Sequence, residues 1–397
     1  MDISPLKKLV QLAARTTRRP DLAVFPGRSE GRFIDNGKYA FLHCHRHLPE
    51  LDCHFLTTDP REARKLRERG LPALLFGQGN SLEVLLEAGL VISDDFWWKN
   101  HPEIWAALHP ARTIQIWHGI PLKAIGLPEI NSSVNMTPEK ASHLTFGYTG
   151  YDSVVSTSPF FTQHAFRPAF GAEDFPELGY PRNDALLRRH DALDMINVDT
   201  ALYAQLVKRR KQGSSVVFYM PTFRDLGNNP FQDGAMRLEA MDAFAREHDV
   251  LFVLKFHPYI DIDAPRLPET ILLADSKSDA YPLLSLCDVL VTDYSSVFFD
   301  FLLLDRPMIF YPYDYEDYTT KNRELLFDYD EMIPGPRVDS EAALYAQILS
   351  AIADGDAPGQ ARRAEIRAMA FKDPDGDAGT RLGQYITRFN QNNGRCS

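Results

Sequence analysis

From Leu22 onward the chain alternates short apolar runs with stretches of helical period. The runs are LAVFPG, a helix from about Gly37 to Leu48, CHFLT, a helix through Glu62 to Arg69, ALLF, SLEVLLEAG, LVISD and TIQIWHG. Strands spaced by helices predict a parallel, doubly wound sheet. A further strand is expected at Ser153 to Ser158, followed by a helix entered through Ser158-Pro159; Gly179, Pro181 and Asn183 mark a loop. The rhythm then restarts with SVVFYMPTFRD (Ser215 to Asp225), VLFVLKFHPYI (Val250 to Ile260) and TILLAD. The stretch from Cys287 to Asp314 reads as a complete βαβ unit. It has a buried strand at Val289 to Thr292, a turn at Asp293-Tyr294, a helix opening at Ser295-Ser296, and a second strand at Met308 to Tyr311.

The pattern suits a short N-terminal helix (1–20) and two βα domains, expected at 21–190 and 205–397, the last helix of the second being able to cross back. The charged connection lies near 183–213. At 397 residues, 44% of them hydrophobic, the chain is long enough for two cores. A net charge of −11 argues against a nucleic-acid partner, which needs a concentrated basic face. Cys44, Cys53, Cys287 and Cys396 read as reduced thiols, consistent with a cytoplasmic protein. No apolar run reaches the roughly 18 residues that a spanning helix needs. Residues 2–19 nevertheless form a basic amphipathic helix, with Lys7, Lys8, Arg15, Arg18 and Arg19 around Leu6, Leu9 and Val10. Such a helix suits an anionic membrane surface, or is simply solvated. The His43, Cys44, His45, His47, Cys53 and His54 cluster lacks the spacing of a defined zinc site.

Chemistry concentrates where strands end. In QIWHGIPLK the backbone must turn at His118-Gly119, which places an imidazole at the carboxyl edge of a parallel sheet, where such folds bind ligands. That ring can take a proton from a hydroxyl near neutral pH, and Lys123 can face a phosphate. The plainer reading is a turn histidine bonded to nearby backbone. His257 follows a strand in the same way, beside Lys255. Ser295 and Ser296, next to Asp293, open a helix whose free N–H groups and positive dipole would bind an anion, unless they serve only as a cap. Thr222 and Arg224 lie on the loop after the Ser215 strand, and Arg381, in the Gly-rich stretch Asp373 to Leu382 that opens the last helix, is available for a phosphate.

Taken in order, DN-x-KY (Asp35 to Tyr39), WHGIPLK (Trp117 to Lys123), STSPFFT, GYPRND, MPTFRD (Met220 to Asp225), FHP, DVLVTDYSSVFFDF, RPMIFYPYD and DG-x-A-x-x-R (Asp375 to Arg381) resemble the CDP-glycerol/CDP-ribitol polyol-phosphate transferases of teichoic-acid and capsule type. The likeness covers nearly all of residues 24–382. It implies a GT-B-like α/β architecture, two Rossmann-like domains facing across a cleft. It also implies transfer of a polyol phosphate from CDP-glycerol or CDP-ribitol to an acceptor hydroxyl, with release of CMP. Carried over by motif, His118 is the general base, His257 and the Ser295-Ser296 helix start hold the diphosphate, and Arg224 and Arg381 are weaker phosphate candidates; Asp293, Thr222 and Lys123 complete the expected donor-side set. The implied acceptor is a lipid-linked or oligosaccharide/polyol-phosphate chain at the inner membrane face. No cofactor is required, and a divalent metal is compatible with the set. Two rival readings are a UDP- or GDP-sugar transferase or epimerase of the same fold, and a non-catalytic nucleotide-binding module of a membrane assembly. Two departures from the family pattern stand out, Gly379 in place of a common Ser and the lack of the long N-terminal accessory extension of the larger polymerases; the expectation is a compact primase, a short polymerase or the transferase part of a capsule system.

Overall fold

Two parallel sheets organise the chain in the computed structural model, which describes residues 4–131, 136–222, 224, 230–256, 267–321, 324–354 and 357–391. The first comprises β1 (Arg19–Pro26), β2 (Asp52–Thr57), β3 (Ala73–Leu75), β4 (Ala88–Ser93), β5 (Arg112–Gln115), β6 (Thr149–Val154) and β7 (Gly171–Asp174), in the order β3-β2-β1-β4-β5-β6-β7. The second comprises β8 (Ser215–Met220), β9 (Val250–Leu254), β10 (Ile271–Leu273), β11 (Val289–Thr292) and β12 (Met308–Phe310), in the order β10-β9-β8-β11-β12. All pairings within both sheets are parallel. Helices cover both faces of such a sheet, so its central strands are continuously apolar. Every residue of VLFVL in β9 and VLVT in β11 is buried.

Strand order reverses between β1 and β4 in one sheet and between β8 and β11 in the other. Ligands bind at the carboxyl ends of strands beside such points, because the loops there diverge and leave a crevice. These two crevices face each other. An apolar cluster runs between the halves: Phe161 of the first stacks edge-on against Phe299 of the second at 5.2 Å.

Five helices matter below: α1 (Pro5–Arg15), α2 (Asp35–His47), α3 (Pro181–Leu187), α4 (Val297–Phe301) and α5 (Ala378–Gln391). Proline at the first turn suits α3, since the missing N–H would be unsatisfied there anyway. That helix occupies the place where the sequence suggests a loop. The last helix, α5, packs Leu382 and Ile386 into the core of the first sheet beside Ala23 and Phe25. Its first N–H groups, from Ala378 and Gly379, donate to the Asp184 carboxylate at 3.0 and 2.8 Å.

Other local expectations shift. The strand expected at Ser153 begins earlier, at Thr149. The helix after Ser158 is interrupted by a wide turn at Thr162–Phe166 and gives way to β7, a partly exposed edge strand whose GAED sequence reads as loop. Helix α1 is shorter than its basic region. Arg18 lies beyond it and donates to the carbonyls of Ala13, Leu85, Ala88 and Ala107, while Arg19 pairs with Asp21 and Asp52. Two of the five cations therefore hold the fold. Among the described residues no helix is long and apolar enough to cross a membrane.

Candidate active site

The turn after β5 has unusual backbone. Trp117 has φ 47° and Gly119 φ 153°, and a bulky residue in the left-handed region costs on the order of 1–3 kcal/mol unless its surroundings impose it. They do. Gln115 Oε1 accepts from Trp117 N at 2.9 Å, Asn36 Nδ2 donates to the Trp117 carbonyl at 2.8 Å, and Arg182 Nη1 donates to the His118 carbonyl at 2.6 Å. A Cβ at Gly119 would lie 2.9 Å from Ser296 Oγ. Glycine, at a φ that other residues rarely adopt, lets the His118 turn of the first sheet lie close against Ser296 of the second.

His118 Nδ1 lies 2.8 Å from the backbone carbonyl of Asp94. A carbonyl can only accept, so Nδ1 carries the proton and the neutral ring keeps its lone pair on Nε2. Burial, helped by the nearby Arg28 charge, lowers the imidazole to about 3. Around it stands a charged frame. Burial raises Asp35, but Arg182 and Arg28 outweigh it and bring its carboxyl down to about 2. Asp94, buried and close to Asp35, is pushed well above the ordinary carboxylate range.

His118 lines a cleft of about 200 Å³ together with Asp35, Arg182, Lys255, Asp279, Tyr281, Ser295, Ser296 and Asp300, residues drawn from both sheets. Arg182 bridges them, donating from Nη1 to Asp35 (2.6 Å) and from Nη2 to Asp300 (2.7 Å). Tyr281 also donates to Asp300, at 2.9 Å. Below the cleft, Lys38 and Tyr39 of α2 both donate to Asp279, at 2.7 and 2.8 Å. The Lys255 ammonium donates to the carbonyls of Asp275 and Ser278, and burial lowers it to about 8.

The expected site residues fall into three groups. His118, Ser295 and Ser296 meet in the cleft. Helix α4 is only five residues long, and Ser296 makes no capping bond; the strong helix-dipole socket read from Ser295-Ser296 is reduced to two hydroxyls and a short turn. The second group, Arg224, Thr222, Asp293, Lys123 and Arg381, is engaged by partners within the protein. Arg224 bonds Asp293, both carboxylate oxygens of Asp314 and the Thr222 carbonyl. Asp293 in turn accepts from the backbone N–H of Thr222 and Tyr294, so these three residues brace the β8 and β11 loops. Lys123 reaches Tyr318 at 3.2 Å. Arg381 grips Asp375 with two bonds of 2.8 Å and the Leu178 carbonyl at 2.9 Å, at the base of α5 and away from the cleft lining. Gly379 has a packing reason: a Cβ there would lie 2.6 Å from His43 Nδ1. The third group is His257, which lies outside the described residues.

Arg182, Asp279, Tyr281 and Asp300 also line the cleft and were not singled out from the sequence. Asp300 had a signal: one carboxylate in the apolar run VFFDFLLL must be buried, and a buried charge needs a partner. Among the described residues, no group of three or more His, Cys, Asp or Glu side chains could hold a metal ion.

Two facing Rossmann-like sheets with a shared cleft define a GT-B-like protein. The wall teichoic acid polymerase TagF has this architecture: one of its structures superposes with a TM-score of 0.76 at 21% identity, covering 98% of this chain and 94% of that one. The CDP-Glycerol:Poly(glycerophosphate) glycerophosphotransferase family matches residues 8–388, and the chain belongs to that family. It is 33% identical over 254 residues to a teichoic acid glycerol-phosphate transferase of Staphylococcus aureus (strain NCTC 8325 / PS 47), covering 60% of this chain and 62% of the relative. It is 28% identical over 283 residues to a teichoic acid ribitol-phosphate primase of Bacillus spizizenii (strain ATCC 23059 / NRRL B-14472 / W23), covering 70% and 69%. The chain thus matches a little under two thirds of the length of the first of these relatives.

Proposed function

We propose that the protein transfers a polyol phosphate from a CDP-activated donor, CDP-glycerol or CDP-ribitol, to an acceptor hydroxyl and releases CMP. The observation that carries this reading is the closure of the His118 turn onto Ser296, with the His118 ring lining the cleft and its Nδ1 held by the Asp94 carbonyl. Family membership and a related TagF structure soaked with CDPG support the choice of donor.

In the mechanism this supports, the acceptor O–H gives its proton to His118 Nε2. The oxygen attacks the phosphorus that bears the polyol, and the bond from that phosphorus to the bridging diphosphate oxygen breaks, leaving CMP with the electron pair. Ser295 and Ser296 offer hydroxyls to the phosphate oxygens. A neutral imidazole is the form a base requires, and the incoming diphosphate charge stabilises the imidazolium as it forms. Lys255 braces the 275–280 loop that supplies Ser278 and Asp279 to the cleft wall.

The acceptor is a lipid-linked or polyol-phosphate-tipped chain of a teichoic-acid-like or capsular polymer, met at the inner face of the cell membrane. Helix α1 supports surface contact, because Leu6 and Leu12 are 38% and 50% exposed beside Lys7, Lys8 and Arg15. The test is CMP release and product mass from a panel of CDP-glycerol, CDP-ribitol and UDP-N-acetylglucosamine with a glycerol-phosphate-tipped acceptor. The reading requires CMP and a product heavier by one polyol phosphate; turnover of the UDP-sugar alone would refute it.

A further inference from the structure

The turn that carries His118 is held from outside. Asn36 clasps one of its carbonyls and Arg182 the next, but only Arg182 also reaches the second half of the molecule. Its guanidinium is 3% exposed and lies 5.4 and 5.0 Å from the rings of Tyr180 and Tyr281. One nitrogen, Nη1, serves both the His118 carbonyl and Asp35, while Nη2 serves Asp300. Asp300 sits one helical turn after Ser296 on α4. A rigid planar fork therefore connects the base turn to the helix whose start lines the phosphate side of the cleft, a geometry that a single ammonium point charge cannot reproduce. Asp35 and Asp300 already neutralise its charge, which argues against a primary role as a phosphate ligand.

We infer that Arg182 is a positioning residue for the transfer step, fixing the distance from the His118 imidazole to the phosphorus held at Ser295 and Ser296. The inference rests on His118 being the base. Small misplacements of reacting groups cost large factors in rate while leaving ground-state binding almost intact.

The test is a double-variant comparison on the full chain, using CDP-glycerol and a soluble glycerol-phosphate-tipped acceptor, with melting points recorded for every protein. In Arg182→Lys, kcat should fall about tenfold to a hundredfold while KM for CDP-glycerol moves by less than about threefold. Added to His118→Ala, the same substitution should cost less than about twofold, because a residue acting through the base has little left to position. Asp300→Asn keeps the local shape and loosens the other end of the fork. It should repeat the pattern at smaller size and serves where Arg182→Lys folds poorly. Wild-type kcat in both variants, or an Arg182 loss of equal factor with and without His118, overturns the inference. Full turnover in His118→Ala overturns the base reading itself, and that single variant distinguishes the two failures.

Discussion

Lys38 Nζ lies 2.7 Å from Asp279 Oδ2, with side chains 0% and 1% exposed, one on α2 of the first half and the other beyond β10 of the second. The carbonyls of Asp194 and Ile196 take two more of the ammonium's bonds, at 2.5 and 2.8 Å. A buried ion pair contributes modestly against an apolar replacement, but it punishes the removal of one partner. Lys38→Met, which strands a carboxylate at the seam, should cost about 3–5 kcal/mol. Lys38→Met with Asp279→Leu should recover part of that loss. Urea unfolding of the single and double variants checks both.

The base of α5 should separate stability from chemistry. Asp184 receives the first two N–H groups of that helix, so Asp184→Ala should lower stability by about 1 kcal/mol, the usual worth of such a cap. It should leave the donor's KM unchanged. Gly379→Ser should destabilise by about 1–3 kcal/mol through the clash with His43, and should not improve donor affinity. Thermal unfolding and donor titration provide the two readouts.

Dependence on pH follows from the depressed His118 value. Folded, the ring resists protonation down to about 3, while an unfolded histidine takes a proton near 6.5. Between those values the unfolded state binds more protons, so the contribution of His118 to stability is full above about pH 6.5 and is lost as pH falls toward 3. Relative to His118→Asn, the wild type should therefore lose melting temperature between pH 7 and pH 4.5. The acid limb of kcat/KM, which reports the free enzyme, should lie well below 6; that of kcat should move upward with the diphosphate bound.

Helix α1 gives a further test. Replacing Lys7, Lys8 and Arg15 by Gln should weaken sedimentation with anionic vesicles, since each cation near such a surface contributes about 1 kcal/mol. Turnover on a soluble acceptor should stay the same.

The fold was legible because parallel strands buried on both faces read as unbroken apolar runs, as at Val250 to Leu254. It failed at the polar edge strand β7 and at Pro181 to Leu187, where Gly179 and Pro181 suggested a loop and tertiary contacts favour a helix. The cleft lining was half legible. His118 and the two serines follow from strand-end logic, which is local. The partners of the cations were not legible, because what occupies a guanidinium is set by distant carboxylates: Asp293 lies 69 residues from Arg224 and Asp314 lies 90. Arg182 escaped for the same reason, its partner Asp300 being 118 residues away.

The most direct measurement is His118→Ala, read by CMP release from CDP-glycerol with acceptor and by donor binding in a titration calorimeter. A general-base role for His118 requires a fall in turnover of at least about a hundredfold with the donor's Kd nearly unchanged. Retained turnover, or a collapse of donor binding, would contradict it.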